Sequence, residues 1–437
     1  MPLWLRRIIY LSFIALFLLV APILALYSMG YRYHWGKHRF ERTGLLVVDG
    51  EPRDATVRLD GVVQDTRLPA RIGGLGENEY TLRIEREWFH PWEQRVGITS
   101  GRTTSVSSVR LFRDAQPTLA LAGTITHAAV SADQRWFAII RSTESFEELW
   151  LWGLETGART LVLRLPLADA PTTDRNSSLS PLHSSLSWSP RNATLLVRNA
   201  TDALVVSPGR TPTTRSILRL LPGRPTMIAW ELSDDRTLIA DVGHRLFRVN
   251  LTTGRVVALA LPTPEGPFAL ARGTLFVADG GRILARPTDS QPQKLIATLP
   301  EQTAVARFTD LRGTQLDAET NEPAQLLTIG TTDGNVRTRS GFGLRWTTER
   351  DGALWHGGAF ELWAESGTPA QPRLLVRREV PLVDAVWHPE GRHVIFASER
   401  DVAVLELGSS THPATPLATF DHVRVVVAPP DGNTILI

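Results

Sequence analysis

The chain has 437 residues, of which 43% are hydrophobic and 21% are charged. This composition is that of an ordinary folded protein, and it excludes a largely disordered chain; the length excludes a single small domain. Lys and Arg total 47 against 45 acidic residues, and the net charge of +2 gives no strong field to attract nucleic acid, so we expect no nucleic-acid partner. The absence of Cys excludes disulfides and thiolate chemistry.

Residues 8–31, from Ile8 to Tyr31, carry no charged side chain and are mostly apolar. A helix rising about 1.5 Å per residue would span about 36 Å here, enough to cross a hydrocarbon core of about 30 Å. We therefore predict a transmembrane helix limited by Ile8 and Tyr31, with membrane lipid as its partner. A cleaved signal peptide is the alternative, but its apolar region is usually about 7 to 15 residues long.

The charges that flank this run give conflicting indications of its orientation. Arg6 and Arg7 precede it, whereas four basic residues follow between Arg32 and Arg42, and a literal count would leave the bulk of the chain in the cytoplasm. A short head with two arginines is nevertheless a normal signal-anchor arrangement. We expect residues 1–7 to form a cytoplasmic head, with residues 32–43 as a juxtamembrane linker to domains outside the cytoplasmic membrane.

Residues 44–112 alternate apolar and polar positions in short runs separated by Gly-rich or Pro-containing breaks, which is typical of strands with one buried face. These runs predict a compact antiparallel β-sandwich. They are Gly44–Asp49, Ala55–Gly61, Glu79–Ile84, Gln94–Ile98 and Thr103–Leu111.

This segment resembles the PEGA domain, a small bacterial extracytoplasmic β-fold named for a Pro-Glu-Gly-Ala signature. The matching stretch reads Pro52-Arg53-Asp54-Ala55, Leu68-Pro69 stands in the place of the family's Thr-Pro, and Leu75 to Tyr80 resembles its step into the next strand. The resemblance implies a membrane-bound bacterial protein with extracytoplasmic domains. An unrelated sandwich of the same size would leave the architecture unchanged.

Residues 123–437 contain repeats. Leu149–Gly157 matches Leu246–Gly254, each an alternating strand followed by a polar turn closed by Gly. A second element, a strand followed by a tight polar turn, recurs along the segment, with 44 residues from Ser189 to Ser233 and 40 from His388 to Ala428. Its copies are Ala129–Asp133, Ser187–Arg191, Ile228–Asp235, Val386–Gly391 and Val427–Gly432.

Dividing residues 123–437 by about 45 residues per four-stranded blade predicts a β-propeller of about seven blades, with six or eight left open. The turns resemble those of TolB-type bacterial propeller repeats. Residues 113–122 are expected to form a linker, and Thr118–Ala122 to complete the last blade beside His422–Ile437. The predicted fold class is thus all-β with one N-terminal transmembrane helix.

No sequence motif points to a catalytic, cofactor or metal site, and we predict none of the three. His388 and His393 flank a Pro-Glu-Gly turn, where a metal pair is conceivable but separate, solvated side chains are favoured. Adjacent Glu147 and Glu148 are expected to be exposed, because neighbouring side chains on a strand point to opposite faces.

The 13 Trp residues divide into two groups. Trp188, Trp230 and Trp387 precede the turn at similar places in their repeats, which favours packing between blades. Trp88 and Trp92 flank His90-Pro91 in a predicted loop of the small domain, and they are the candidates for an exposed contact.

Together these observations favour a membrane-anchored, non-catalytic binding or scaffolding protein, with a protein or glycan partner at the propeller face. Two alternatives stay open. One is a propeller-based hydrolase or lyase acting on cell-surface glycan or peptide, and the other is a self-associating structural envelope protein.

Overall fold

The chain is built almost wholly from β-strands that follow one N-terminal helix. A computed structural model describes residues 3–28, 31–34, 39–166, 185–191, 194–199, 202–288, 292–301, 303–346, 352–366, 371–407 and 414–437. The chain divides into two compact units, Met1–Thr118 with Gly408–Ala418, and Leu119–Leu407 with Thr419–Ile437.

The helix α1 extends over Leu3–Ser28 and contains a stretch, Arg7–Ala25, with a mean hydropathy of 2.7 and no buried surface. It is long and apolar enough to cross a membrane. The helix begins before Ile8 and ends at Ser28, before Tyr31, because charged residues mark where a helix leaves hydrocarbon and not where its hydrogen bonding ends. The limits Ile8 and Tyr31 of the membrane span itself stay a prediction. Tyr31 instead opens the strand β1 (Tyr31–His34), which pairs with β2 (Arg39–Arg42), so the predicted linker contains a hairpin.

Seven strands follow in the first unit and form two sheets, in the orders β6-β3-β9 and β5-β4-β7-β8. The predicted antiparallel arrangement is wrong for one pair, because β3 and β9 run parallel. The first and last strands of the sandwich are neighbours there, which a hairpin-by-hairpin interpretation cannot foresee. The strands are β3 (Gly44–Glu51), β4 (Thr56–Leu59), β5 (Val62–Asp65), β6 (Ala70–Leu75), β7 (Asn78–Glu85), β8 (Trp92–Ile98) and β9 (Thr103–Arg110).

One apolar core lies between these two sheets. Leu46 and Val48 of β3 face it together with Leu82 and Ile84 of β7, and all four are fully buried. The tight turn at Asp60-Gly61 joins β4 to β5, and both of its residues have positive φ, of 49° and 81°. An Asp-Gly pair favours this conformation, which matches the twist of a hairpin.

Within the described residues, the remaining 28 strands form seven four-stranded antiparallel sheets, each made of four consecutive strands. This is the chain order of propeller blades, and it agrees with the prediction of about seven. We number the blades one to seven. Their strands are β10 (Thr124–Val130), β11 (Trp136–Ser142), β12 (Phe146–Gly153) and β13 (Arg159–Pro166); β14 (Ser185–Trp188), β15 (Leu195–Arg198), β16 (Ala203–Ser207) and β17 (Thr213–Ser216); β18 (Met227–Glu231), β19 (Asp234–Val242), β20 (Arg245–Asn250) and β21 (Val256–Pro262); β22 (Phe268–Ala271), β23 (Thr274–Asp279), β24 (Arg282–Pro287) and β25 (Lys294–Thr298); β26 (Val305–Arg312), β27 (Gln315–Thr320), β28 (Gln325–Gly330) and β29 (Val336–Ser340); β30 (Phe342–Trp346), β31 (Gly352–Gly358), β32 (Glu361–Ser366) and β33 (Gln371–Arg377); β34 (Leu382–Trp387), β35 (His393–Ser398), β36 (Asp401–Glu406) and β37 (Thr415–Thr419).

The polar turn closed by Gly joins the third and fourth strands of its blade. Gly157 and Gly254 have φ of 68° and 71°, and each donates its backbone N–H to the carbonyl four residues earlier at 2.8 Å. Gly334 in blade five does the same at 2.9 Å, with a φ of 70°. The sequence analysis overlooked this third copy, because Asp333 replaces the Thr that precedes Gly in the other two.

Three tryptophans connect neighbouring blades, which confirms the predicted packing. Each lies at the end of the first strand of its blade or one residue before that end, and donates its indole N–H to a backbone carbonyl on the first strand of the preceding blade. The bonds are Trp188 to Ala129 at 2.9 Å, Trp230 to Ser187 at 2.9 Å, and Trp387 to Arg345 at 3.4 Å.

The C-terminal segment closes the ring in a way that the sequence analysis did not predict. Residues 118–122 form no strand, since β37 completes blade seven. Instead, the backbone N–H of Val426 donates to the Asp384 carboxylate of blade seven at 2.9 Å, and Arg424 donates to the Ile125 carbonyl of blade one at 3.0 Å. The segment therefore fills the seam between the last blade and the first.

The Trp230→Phe variant should unfold more easily than the wild type. It loses the hydrogen bond to Ser187 and part of a buried side chain, and we expect it to cost about 1–3 kcal/mol of the free energy of unfolding. The urea midpoint of the full chain in detergent, followed by far-UV circular dichroism, measures this. Trp88→Phe is the matched control at a 76% exposed position and should shift the midpoint little. Equal midpoints for both variants would contradict the role of the indole bond.

Candidate functional site

Trp88 is an exposed aromatic side chain on a fixed loop of the small domain. Its φ is 66° and its side chain is 76% exposed. The loop is held from both sides, because Asp114 donates its backbone N–H to the Trp88 carbonyl at 2.9 Å and His90 donates to the Phe112 carbonyl at 2.8 Å. The structure thus places Trp88 where a partner could reach it, as the sequence analysis expected.

Trp92 differs from that expectation. It is the first residue of β8, opposite Ile84 of β7, and its side chain is partly buried against the core of the small domain. The strand begins two residues earlier than the predicted Gln94, so the alternation of β8 already governs Trp92. Trp88 alone of this pair extends into solvent.

His388 and His393 are neighbours and are buried, with exposures of 2% and 3%, so the prediction of separate solvated side chains is wrong. The strands β34 and β35 form a hairpin, and the ends of two hairpin strands lie side by side. The backbone N–H of His388 donates to the His393 carbonyl at 2.9 Å, and the two imidazoles meet edge to face with centroids 5.8 Å apart.

Glu390, in the turn between these strands, completes a group of three metal-ligating side chains. One of its carboxylate oxygens lies 3.8 Å from Nδ1 of His388 and 4.0 Å from Nδ1 of His393. Nε2 of His388 faces the Gly432 carbonyl of the C-terminal segment at 3.0 Å. The group therefore lies at the seam of the ring.

Glu147 and Glu148 are buried, at 3% and 4% exposure, which corrects the expectation that they face solvent. Glu148 accepts hydrogen bonds from Arg141 on β11 and from Arg164 on β13 at 3.0 Å each. The bond from Arg141 holds the pKa of the Glu148 carboxyl below its usual range. Such a carboxylate is a structural partner of arginine and is poorly suited to accept a proton near neutral pH.

His356 is a buried titratable group that the sequence analysis missed. It lies on β31 with 8% exposure, and its ring stacks on Phe342 with centroids 5.3 Å apart. Burial lowers its pKa, while the Asp384 carboxylate acts in the opposite direction. No motif marks this position in the sequence, because its environment comes from the packing of three separate strands.

Exposed apolar side chains gather on one side of blade six and the start of blade seven. In an antiparallel blade, the start of the first strand, the turn between the second and third strands, and the end of the fourth strand lie on the same face. The blade-six patch has its members at these places; they are Phe342, Phe360, Val380 and Val383, with exposures of 43%, 45%, 48% and 38%.

Backbone contacts hold the turn that carries Phe360 against the segment that carries Val380 and Val383. Arg378 donates its N–H to the Phe360 carbonyl at 3.0 Å, and Leu382 donates to the Ala359 carbonyl at 2.7 Å, so the turn of blade six lies against the connection to blade seven. The His388 group lies on the opposite face of the propeller, because it belongs to a turn between first and second strands.

Residues 43–111 match the family model described as the PEGA domain, which confirms the resemblance seen in the sequence of the small domain. No curated protein sequence matches the chain.

The chain is also similar to solved structures of propeller-type proteins. Hsv2p of Kluyveromyces lactis has 10% identity and a TM-score of 0.44, with 69% of this chain and 98% of that chain covered. An oligogalacturonate lyase in complex with manganese has 13% identity and a TM-score of 0.43, with 68% and 89% covered. We infer no function from these similarities, and the seven blades are assigned from the strand pairing itself.

Lowering the pH should destabilise the propeller through His356. Because burial lowers the pKa of His356 in the folded state, the unfolded chain takes up a proton as the pH falls through about 6.5 while the folded chain does not. The free energy of unfolding should therefore decrease with falling pH, at most by about 1.4 kcal/mol per pH unit from this group.

The His356→Phe variant tests this assignment. Its urea midpoint should fall less than that of the wild type between about pH 7 and about pH 5. The His127→Phe variant removes an exposed imidazole and should follow the wild type. If His356→Phe loses as much stability as the wild type over this range, His356 is not the group responsible.

Proposed function

We propose that this protein is a membrane-anchored binding or scaffolding module. Its helix α1 anchors the chain in the cytoplasmic membrane, its other domains lie outside, and its propeller recognises a protein partner without catalysing a reaction. The observation that carries the proposal is the blade-six patch. The resemblances to PEGA domains and to TolB-type repeats support the placement outside the membrane.

The chemistry of the patch favours a protein over a glycan. Phe342 and Phe360 offer aromatic faces, but Val380 and Val383 offer no hydrogen bonds to sugar hydroxyls. Isolated exposed apolar residues are common on protein surfaces, whereas a group of four on adjoining segments is typical of an interaction site. The partner would cover these side chains, and the polar rim of the blade would surround the contact.

Two other functions are distinguished from this one by experiment. A propeller-based hydrolase or lyase would turn over peptide or glycan substrates as purified full-length protein. A self-associating envelope protein would use the patch to bind a second copy of itself. Two of the buried carboxylates are poorly suited to acid–base catalysis, because Glu148 and Glu365 are each paired with two arginines.

The orientation can be tested by thiol labelling, since the natural chain has no Cys. Val62 is 62% exposed on the small domain, and a Val62→Cys variant should react with a membrane-impermeant maleimide in intact cells. A Pro2→Cys variant should react only after the membrane is permeabilised. The reverse pattern would place the propeller in the cytoplasm and contradict the proposal.

Photo-crosslinking in cells tests the patch. A photoreactive phenylalanine analogue at Phe360 should give an adduct with one partner protein, because the partner covers this side chain. The matched control is the same analogue at Leu295, which is 51% exposed on the edge strand of blade four. Val380→Asp should abolish the adduct by placing a charge in the contact.

The outcomes of this experiment separate the candidates. An adduct between two copies of the chain would establish self-association instead. Adducts that are the same from Phe360 and Leu295, or that persist in Val380→Asp, would show that the patch is not a binding surface.

A further inference from the structure

His388, Glu390 and His393 bring three ligand atoms together on one turn. These atoms all lie within 4.8 Å of one another. In a tetrahedral zinc site with bonds of about 2.0–2.2 Å, ligand atoms are about 3.4 Å apart. The observed 3.8 Å and 4.0 Å from the Glu390 oxygen to the two Nδ1 atoms are therefore longer than required by about half an ångström.

Glu390 is the ligand whose side chain would have to move, and it is also the most exposed of the three. Glu390 is 40% exposed, whereas the side chains of His388 and His393 are 1% and 3% exposed. A small rotation of the glutamate would shorten both of its distances to the Nδ1 atoms. The left-handed Gly391, with a φ of 70°, allows the tight turn that places Glu390 above the two rings.

A further contact orients the first imidazole. Nε2 of His388 lies 3.0 Å from the Gly432 carbonyl, where it can act only as the donor. A neutral imidazole that donates through Nε2 has its lone pair on Nδ1, which accepts a long hydrogen bond of 3.4 Å from the Glu390 backbone N–H and also faces the Glu390 carboxylate. Metal-binding histidines in proteins are commonly held in this way by a backbone carbonyl on the far ring nitrogen.

We propose that His388, Glu390 and His393 bind one divalent transition-metal ion, with zinc as the best match. Two imidazole nitrogens and one carboxylate suit zinc and other divalent first-row transition metals, whereas calcium and magnesium prefer oxygen ligands alone. Three protein ligands leave a fourth position, which opens towards solvent beside the exposed Glu390. Water or a ligand from outside the chain would occupy it.

Metal binding here would strengthen the closure of the ring. His388 contacts the turn at Gly432, so an ion that fixes His388 also fixes the carbonyl partner in the C-terminal segment. An ion bound by the folded chain alone stabilises it by mass action, and the effect increases with the concentration of free metal. The site would therefore act as a metal-dependent clasp at the seam between blades seven and one.

The test uses the full chain in detergent, stripped with a chelator and then titrated with Zn²⁺ in a calorimeter. We expect one ion per chain at this site. Glu390→Gln, at an exposed position, should weaken Zn²⁺ binding at least about 10- to 100-fold. Losing a residue that only hydrogen-bonds to a metal ligand already lowers metal affinity by this factor, and Glu390 would be a ligand itself. Glu399→Gln is the matched control, because Glu399 faces a single exposed imidazole, His422, at 3.3 Å and should leave binding unchanged.

Thermal unfolding supplies a second measurement. Zn²⁺ should raise the melting temperature of the wild type and of Glu399→Gln, but not that of Glu390→Gln. Co²⁺ in place of Zn²⁺ should show the visible absorption of a tetrahedral ion in the same two proteins. Equal Zn²⁺ binding by Glu390→Gln and Glu399→Gln, or no binding by the wild type, would overturn the proposal. Neither result depends on where the propeller lies or on what its opposite face binds.

Discussion

The packing of one blade against the next is the interaction on which the whole propeller depends. The middle strands of a blade are buried on both faces; β27 and β35, for example, are buried along nearly their whole length. A four-stranded sheet cannot cover its own faces, so Leu316 and Ile329 of blade five pack with Phe276 of blade four in one core. Each such fully buried side chain contributes about 1.5–3 kcal/mol. A single blade taken alone would expose these side chains to water.

Arginine side chains pair with the carboxylates that are buried between the blades. Burying a carboxylate is costly unless a charged partner with matching geometry accompanies it. Glu365 of blade six binds Arg339 of blade five through two parallel bonds of 3.1 Å, and Asp384 of blade seven binds Arg345 of blade six at 2.7 Å. The planar guanidinium can make such paired bonds, whereas an ammonium group cannot. The sequence has 47 basic residues, and only Lys37 and Lys294 are lysines.

Periodicity made the blades predictable from the sequence. A turn that ends a strand needs Gly, Pro or Asp at fixed places, so its copies remain visible where apolar residues have diverged. Gly157 and Gly254 were recognised in this way, and Gly334 was overlooked only because a neighbouring side chain differs. The tryptophans before the turns were interpreted correctly for the same reason, since their place in the repeat fixed their direction.

Contacts between segments distant in sequence were not predictable. The burial of His356 and the seam formed by residues 423–437 both depend on strands that no local pattern connects. The prediction of separate side chains for His388 and His393 was wrong for a different reason. The ends of two adjacent hairpin strands were treated as if they lay apart. The blade-six patch also has no sequence signature. Its four members are ordinary apolar residues in the sequence, and only the fold shows that they are exposed.

The two faces of the propeller are therefore suited to different tasks. On the face of the turns between first and second strands, the indole bonds join three pairs of neighbouring blades. On the same face, His388 of blade seven contacts Gly432 of the C-terminal segment. On the opposite face, the residues of the blade-six patch contribute little to blade packing, because their side chains remain exposed. Changes at Phe360 or Val380 should thus leave the stacked blades intact. If the blade-six patch is the recognition surface proposed above, this separation would let a rigid ring serve as a scaffold, since that surface is not part of the packing that keeps the ring closed.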